Sequence, residues 1–349
     1  MSLSAETLSL GVSLGETFEA QDFSGGNYAN TFLGGGMFLQ CNWAAADVRK
    51  SDVREAVFDQ CNLQGAFLAG SNLRHAIFNR CNLSHVDFRE ASLHATTFNE
   101  CDLSHSQFNQ AWLGMAKFHG CVLNHASLQG AELDSTTLSS CAIVDANVDQ
   151  SRWLHVTVAE CDMQQSTWDG ASMTRVTFFK TPLQARCFDG GIYESCQFSF
   201  CDLTGSSFVR ASLKQCNFQG STLDGCNFSE VNAPNAIFDK ACGEAVVFER
   251  AYLHQALFGQ SQLPKANFTG AHLYQCHFAQ AQLPDAQMQG AQCTYADFSH
   301  ADLQRADLRQ ATLFRAVLHA AQLQDAQLTD QDRALGTDPD LARAEKWTD

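Results

Sequence analysis

The chain has 349 residues, of which 45% are hydrophobic and 17% charged, and its 38 acidic and 22 basic residues give a formal net charge of −16. Such a field repels nucleic acid, so direct nucleic-acid binding is excluded. No stretch approaches the 18 or so consecutive apolar residues of a membrane-spanning helix, so no membrane partner is expected.

The start, Met1-Ser2-Leu3-Ser4-Ala5-Glu6, lacks the basic residues and apolar run of a secretory signal. A soluble cytoplasmic protein is the expectation. Residues 1–17 keep Leu3 and Leu8 in phase with the five-residue period of the later chain, but Ser13 and Glu16 stand where large and small inward residues belong. This segment reads as a fraying or capping lead-in.

From Phe18 to Leu328 every fifth residue is apolar and large, across 63 successive blocks, with only Ala233, Gly243 and Cys293 departing. Two places earlier in each block stands Ala, Cys, Ser, Thr, Val or Gly, except at Glu16, Gln21 and Arg186. A period of five fits neither a helix nor a flat strand, so each block must turn the chain after a short extended piece. Side chains two apart on such a piece share a face, which puts the large and the small residue inward and the other three outward.

Cysteine fills the small position at Cys41, Cys61, Cys81, Cys101, Cys121, Cys141 and Cys161, always 20 apart, while residues 51, 71, 91, 111, 131 and 151 hold only Ser or Ala. Four blocks therefore make one coil. Phe58, Phe78, Phe98 and Phe118 recur at the same interval, as do Leu63, Leu83, Leu103 and Leu123. Coils stacked at about 4.8 Å bring like side chains together, giving Phe ladders on two opposite walls and Leu ladders on the others.

Blocks such as Ala-Asp-Leu-Arg-Gln at 306–310 resemble the pentapeptide-repeat family over about nine tenths of the chain. The resemblance implies an all-β solenoid: a right-handed quadrilateral parallel β-helix of about 16 coils with 20 residues per coil, some 75 Å long. The expected organisation is one continuous solenoid domain at 18–328, between the lead-in at 1–17 and a helical or irregular cap or tail at 329–349. In that tail, Asp338 and Pro339 suit the N-cap and first position of a short helix, and Trp347 is placed to cover the terminal coil. This helix is less apolar than the dimerisation helix implied by the family's gyrase-binding members, which leaves a monomer or an end-to-end dimer.

The 15 cysteines are an odd number, most of them in the inward column, and read as reduced, buried small hydrophobes. A metal-thiolate or redox role would require Cys-x-x-Cys pairs or converging Cys and His, and neither spacing occurs. His85, His105 and His125 share one outward column, followed by Asp145. The reading is a solvated polar column; its alternative is a metal or pH-responsive ladder. No metal or other cofactor is expected.

Two places look irregular. Arg186, close to Pro182, stands in a small inward position, and around Pro234 and Gly243 large inward residues give way to almost nothing. A local bend or thinned core is the expectation, with a contact patch as the alternative. The columns resume in phase at Phe198 and Leu203, which excludes a projecting loop of odd length. Gyrase-protecting members of the family often carry such loops.

No nucleophile elbow or phosphate-binding glycine loop is present, and a filled solenoid offers no deep pocket, so an enzyme is not expected. The acids cluster in sequence at Asp87, Glu90, Glu100, Asp102, Glu132, Asp134, Asp145, Asp149, Glu160, Asp162 and Asp169, against Arg89, Lys117 and Arg152. That stretch is the candidate protein-interaction surface.

Two functional readings are open. The first is a protein-binding scaffold or adaptor: Cys-Asp-Leu-Ser at 101–104 and Cys-Asp-Leu-Thr at 201–204 are similar to pentapeptide-repeat parts of bacterial type VI secretion machinery. The second, implied by family members that imitate DNA, is a binder of a type II topoisomerase such as gyrase, giving inhibition or quinolone protection. Mimicry would be dilute, at about 0.2 charges per Å against roughly 0.6 for duplex DNA.

Overall fold

The structure, a computed structural model, describes residues 3–346. The chain is a parallel β-solenoid of about 16 turns, falling into two compact units, residues 1–177 and 178–349. Trp347 lies outside the described residues.

In the first unit, helix α1 (Ala5–Ser13) starts at the N-cap Ser4, whose hydroxyl accepts a hydrogen bond from the Thr7 amide at 3.2 Å. It buries Leu8 and Val12, and its Gly11 lies against the Phe18 ring. The solenoid then begins. Strands β1 (Thr17–Glu19), β2 (Met37–Leu39), β3 (Val57–Asp59), β4 (Ile77–Asn79), β5 (Thr97–Asn99) and β6 (Lys117–His119) pair in parallel, each with the next. Their register aligns Phe18, Phe38, Phe58, Phe78, Phe98 and Phe118, so one coil consumes 20 residues as expected. We call this wall I; the blocks starting at residues 21, 26 and 31, and their repeats every 20, form walls II, III and IV.

The corners obey one rule. Every residue whose number is a multiple of five, from Gly15 to Asp325, has φ between 47° and 77°. This left-handed turn lets the amide of the following small residue donate back to the carbonyl of the large one, as Ala46 does to Trp43 at 3.0 Å. Because an L-residue pays roughly 1–2 kcal/mol for that conformation, β-branched residues are the worst choice there. No Val, Ile or Thr occupies any of these positions. Amides at the second, third and fifth places of a block bridge coils: Asn62 donates to the Cys41 carbonyl at 3.0 Å, Leu63 to that of Asn82 at 2.7 Å and Gly65 to that of Ser84 at 2.9 Å.

The core is filled. Phe58, Phe78, Phe98 and Phe118 stack with centroids 4.8–5.1 Å apart, while Phe88 and Phe108 of wall III meet Phe98 edge-on at 6.0 and 6.5 Å. Stacking runs along each ladder and edge-to-face packing between them, both favoured by the ring quadrupole.

The second unit repeats the scheme. Phe198, Phe218, Phe238 and Phe258 form one stacked ladder at 4.8–5.0 Å, and Phe208, Phe228, Phe248 and Phe268 another at 4.8–5.1 Å. After a short strand, Gln327–Leu328, comes a 3₁₀ turn, Gln331–Arg333, and then helix α2 (Pro339–Ala344). Asp338 caps α2 as its place in the sequence predicts, its carboxylate accepting from the amides of Asp340 and Leu341 at 2.8 and 3.1 Å. No described helix is long and apolar enough to cross a membrane.

Candidate functional site

The inward columns leave little room for chemistry. The seven-cysteine column is buried and free of disulfides. Each thiol does more than fill space: Cys61 donates to the Phe38 carbonyl, Cys81 to Phe58, Cys101 to Phe78 and Cys121 to Phe98, each at 3.3 Å. Ser71 and Thr96 make the same bond to the carbonyls of Val48 and Leu73. Where the small position holds Cys, Ser or Thr in place of Ala, its short donor gives a buried carbonyl a further hydrogen bond. In the second unit, burial pushes Cys201 up to about 11 and Cys226 up to about 12. Thiols of this kind are inert.

The sequence-clustered acids do not share a face. Asp102 and Asp162 lie on wall II with Asp145 at its corner, Asp87, Asp149 and Asp169 on wall III with Glu90 at its corner, and Glu132 and Asp134 on wall IV. Glu100 and Glu160 sit at the corner after wall I. Several are already paired. Burial works against ionisation of Asp87, but hydrogen bonds from Arg89, the closest at 2.8 Å, outweigh it and hold the carboxyl below its usual range. Asp134 and Asp145 face His155 and His125 at 3.7 and 3.8 Å. Glu132 stands in register with Arg152, beside Trp112 at a surface hollow of about 80 Å³.

The histidine column forms as its spacing predicts. His85, His105 and His125 stack with centroids 4.7 Å apart and interplanar angles of 2° and 12°. Parallel rings point their nitrogen lone pairs in parallel, so they do not converge on one ion.

The irregular residues continue the coil. Pro182 bridges Asp202, and the Arg186 amide donates to Ser206 Oγ at 3.0 Å. Pro234 accepts from the Gln215 amide at 3.0 Å, and the Gly243 amide donates to Gln262 at 3.0 Å. The corners at 185, 190, 235 and 245 are all in place, and both irregular places keep their bonds to the coil that follows.

Two groupings escaped sequence reasoning. Near the C-terminus, ligand atoms of His300, His319 and Glu345 lie within 4.8 Å of one another, a set of the kind that binds zinc. The hydrogen bonds decide against a metal. His319 Nδ1 accepts from the Asp338 amide at 3.1 Å, so its proton sits on Nε2 and donates to Glu345 Oε2 at 3.1 Å. A ligating histidine has the opposite arrangement, donating through its other nitrogen. Glu345, held below its usual range by hydrogen bonds from His319 and then His300, ties the end of α2 to the last coils.

The second grouping is a run of exposed rings on wall IV of the second unit. Tyr252 stacks on His272 at 4.4 Å, and Tyr274, Tyr295 and Phe314 continue the run at 5.9 and 6.0 Å. Tyr252, Tyr274, Tyr295 and Phe314 are 38–50% exposed.

Sequence profiles agree with this geometry. The profile described as a pentapeptide repeat region matches residues 91–168, 191–268 and 211–288, and that described as pentapeptide repeats (8 copies) matches 41–80, 68–104 and 291–330. The chain belongs to the pentapeptide-repeat family. Among solved structures it is similar to HetL, a pentapeptide repeat protein involved in heterocyst differentiation regulation in the cyanobacterium Nostoc sp. strain PCC 7120. That match has 20% identity over 94% of each chain and a TM-score of 0.19. QnrB1, a plasmid-mediated fluoroquinolone resistance protein, is 17% identical over 59% of this chain and 92% of its own, with a TM-score of 0.30. A pentapeptide repeat protein of the Arabidopsis thaliana thylakoid lumen is 21% identical over 34% and 68%, at 0.21. No curated protein matches.

Proposed function

We propose that this pentapeptide-repeat protein is a non-catalytic scaffold or adaptor that binds a protein partner through its outward side chains. The observation that carries this reading is the division of labour within each block. Inward positions are consumed by ladders such as Phe58 to Phe118, while outward positions vary freely and include exposed Phe67, Trp112 and Met115. Exposed aromatic and Met side chains on flat walls are the anchors of protein interfaces. The similarity of the blocks at 101–104 and 201–204 to secretion-associated repeats makes a type VI secretion component one class of client.

The reading is tested by affinity capture from the native cell with tagged wild type and a variant in which the acids between Asp87 and Asp169 are reversed. A client retained by the first and lost by the second supports it.

A second reading, topoisomerase binding by DNA imitation, draws support from the distribution of acids around all four walls, since a duplex also presents charge all round. Neutralised pairs such as Asp87 with Arg89 and Asp307 with Arg309 weaken it. Supercoiling by purified gyrase at low salt separates the two: a mimic inhibits it or protects it from quinolones, and an adaptor leaves it unchanged.

A further inference from the structure

We propose that the aromatic wall of the second unit, residues 252–315 of wall IV, is the surface on which a second copy of this chain docks. The rings form one connected run. Tyr252 stacks on His272 at 4.4 Å, and His254 lies 6.2 Å from His272 and 6.0 Å from Tyr274. Tyr274 meets Tyr295 edge-on at 5.9 Å, and Tyr295 meets Phe314 at 6.0 Å. The Arg315 guanidinium lies 5.8 Å from the Tyr295 ring.

Charge identifies the occupant. The blocks of this wall read Val-Asn-Ala-Pro-Asn at 231–235, Ala-Tyr-Leu-His-Gln at 251–255, Ala-His-Leu-Tyr-Gln at 271–275, Ala-Gln-Cys-Thr-Tyr at 291–295 and Ala-Thr-Leu-Phe-Arg at 311–315. Not one carries an acid. The other walls of the same coils do, at Glu244, Asp285, Asp297 and Asp307 among others. A basic partner would be drawn to those acidic walls. A wall stripped of acids, in a molecule of net charge −16, is the face that an equally acidic molecule can approach with the least like-charge repulsion, and a second copy is such a molecule.

The surface is also partly ordered before docking. Gln255 donates to Gln275 at 2.9 Å, and His272 and Gln292 are hydrogen-bonded at 3.1 Å, which lowers the entropy lost on association. A charge-poor centre of Tyr, Phe and Arg matches the core of known interfaces. The five blocks span about 20 Å along the stack and about 10 Å across the wall, roughly 200 Å² and well below the roughly 800 Å² per partner of a standard interface, so the dimer is weak, with a dissociation constant in the micromolar range or above.

The test is sedimentation of the full-length protein across the micromolar range at low and high salt. The expected result is a mass that rises with concentration from 38.3 kDa towards twice that value, and a dimer that tightens as salt screens the mutual repulsion. The triple variant Tyr252→Ala, Tyr274→Ala, Tyr295→Ala raises the dissociation constant by about tenfold or more, with circular dichroism and melting temperature keeping the variant's fold in view. A monomer at every concentration overturns the proposal, as does a dimer that the folded triple variant keeps or that salt dissolves. The inference goes beyond the scaffold reading, and the two fail separately: a monomer that still captures a client sinks only this one.

Discussion

A methyl group added at Gly243 would stand 2.6 Å from the carbonyl carbon of Leu223 in the neighbouring coil. Gly243 occupies a position that calls for a large inward side chain, and its sequence context suggests a thinned core. The backbone there instead comes so close to the next coil that no side chain fits. Filling the apparent gap therefore costs stability: Gly243→Ala is expected to destabilise by about 1–3 kcal/mol, and Gly243→Leu by more. Denaturant unfolding of both variants checks this, and a Gly243→Leu protein at least as stable as wild type would refute the close approach.

Ala95, at φ 56°, tests the corner rule. Ala95→Gly relieves the left-handed strain and loses chain entropy in nearly equal measure, so stability should hold or rise slightly. Ala95→Val is expected to lose about 1–2 kcal/mol. Thermal melts of the two variants should split in that order.

Acid sensitivity arises from the carboxylates paired along the walls. Asp307 is held down to about 2, first by the hydrogen bond from Arg309. A carboxylate whose folded pKa is depressed contributes stability that is present above its unfolded value of about 3.9 and is lost as pH falls through the folded one. The contribution is small, because the pair is solvent-exposed. Wild type and Arg309→Ala should therefore differ most in melting temperature near neutral pH and converge as pH approaches about 2. A gap that widens in acid would contradict the assignment.

Among the fifteen thiols only Cys187 is exposed, with Cys242 intermediate and the rest buried. Alkylation of the native protein followed by mass spectrometry should label Cys187 first and Cys242 next. The Cys41 to Cys161 column should react only on unfolding. Rapid labelling of Cys81 in the folded state would show that the column is not packed as described.

Much of the fold was legible because inward positions answer to one demand repeated 63 times. Large residues at Phe58, Phe78 and Phe98 and thiols at Cys61, Cys81 and Cys101 state the coil length outright. The corners were legible in a quieter way: 14 of the 23 glycines stand at multiples of five, and β-branched residues are missing there, a signal that marks positive φ. The aromatic wall was not legible. Tyr252, Tyr274, Tyr295 and Phe314 are spread over the second, fourth and fifth places of their blocks, and they become neighbours only because coils place residues about 20 apart side by side. Likewise Glu345 meets His300 and His319 across 45 and 26 residues, through a tail that has left the repeat. The acids between Asp87 and Asp169 show the converse, since neighbours in sequence are carried to four different walls.

The central claim is that the outward side chains bind a protein while the inward ladders only hold the walls in place. Its most direct test is quantitative affinity capture from the native cell with wild type, the charge-reversed 87–169 variant and a core control, Cys61→Ser, all matched for melting temperature. The account predicts one specific client, retained by Cys61→Ser and lost by the outward variant. A client that survives reversal of the outward charges, or inhibition of gyrase by the purified protein with no client at all, would contradict it.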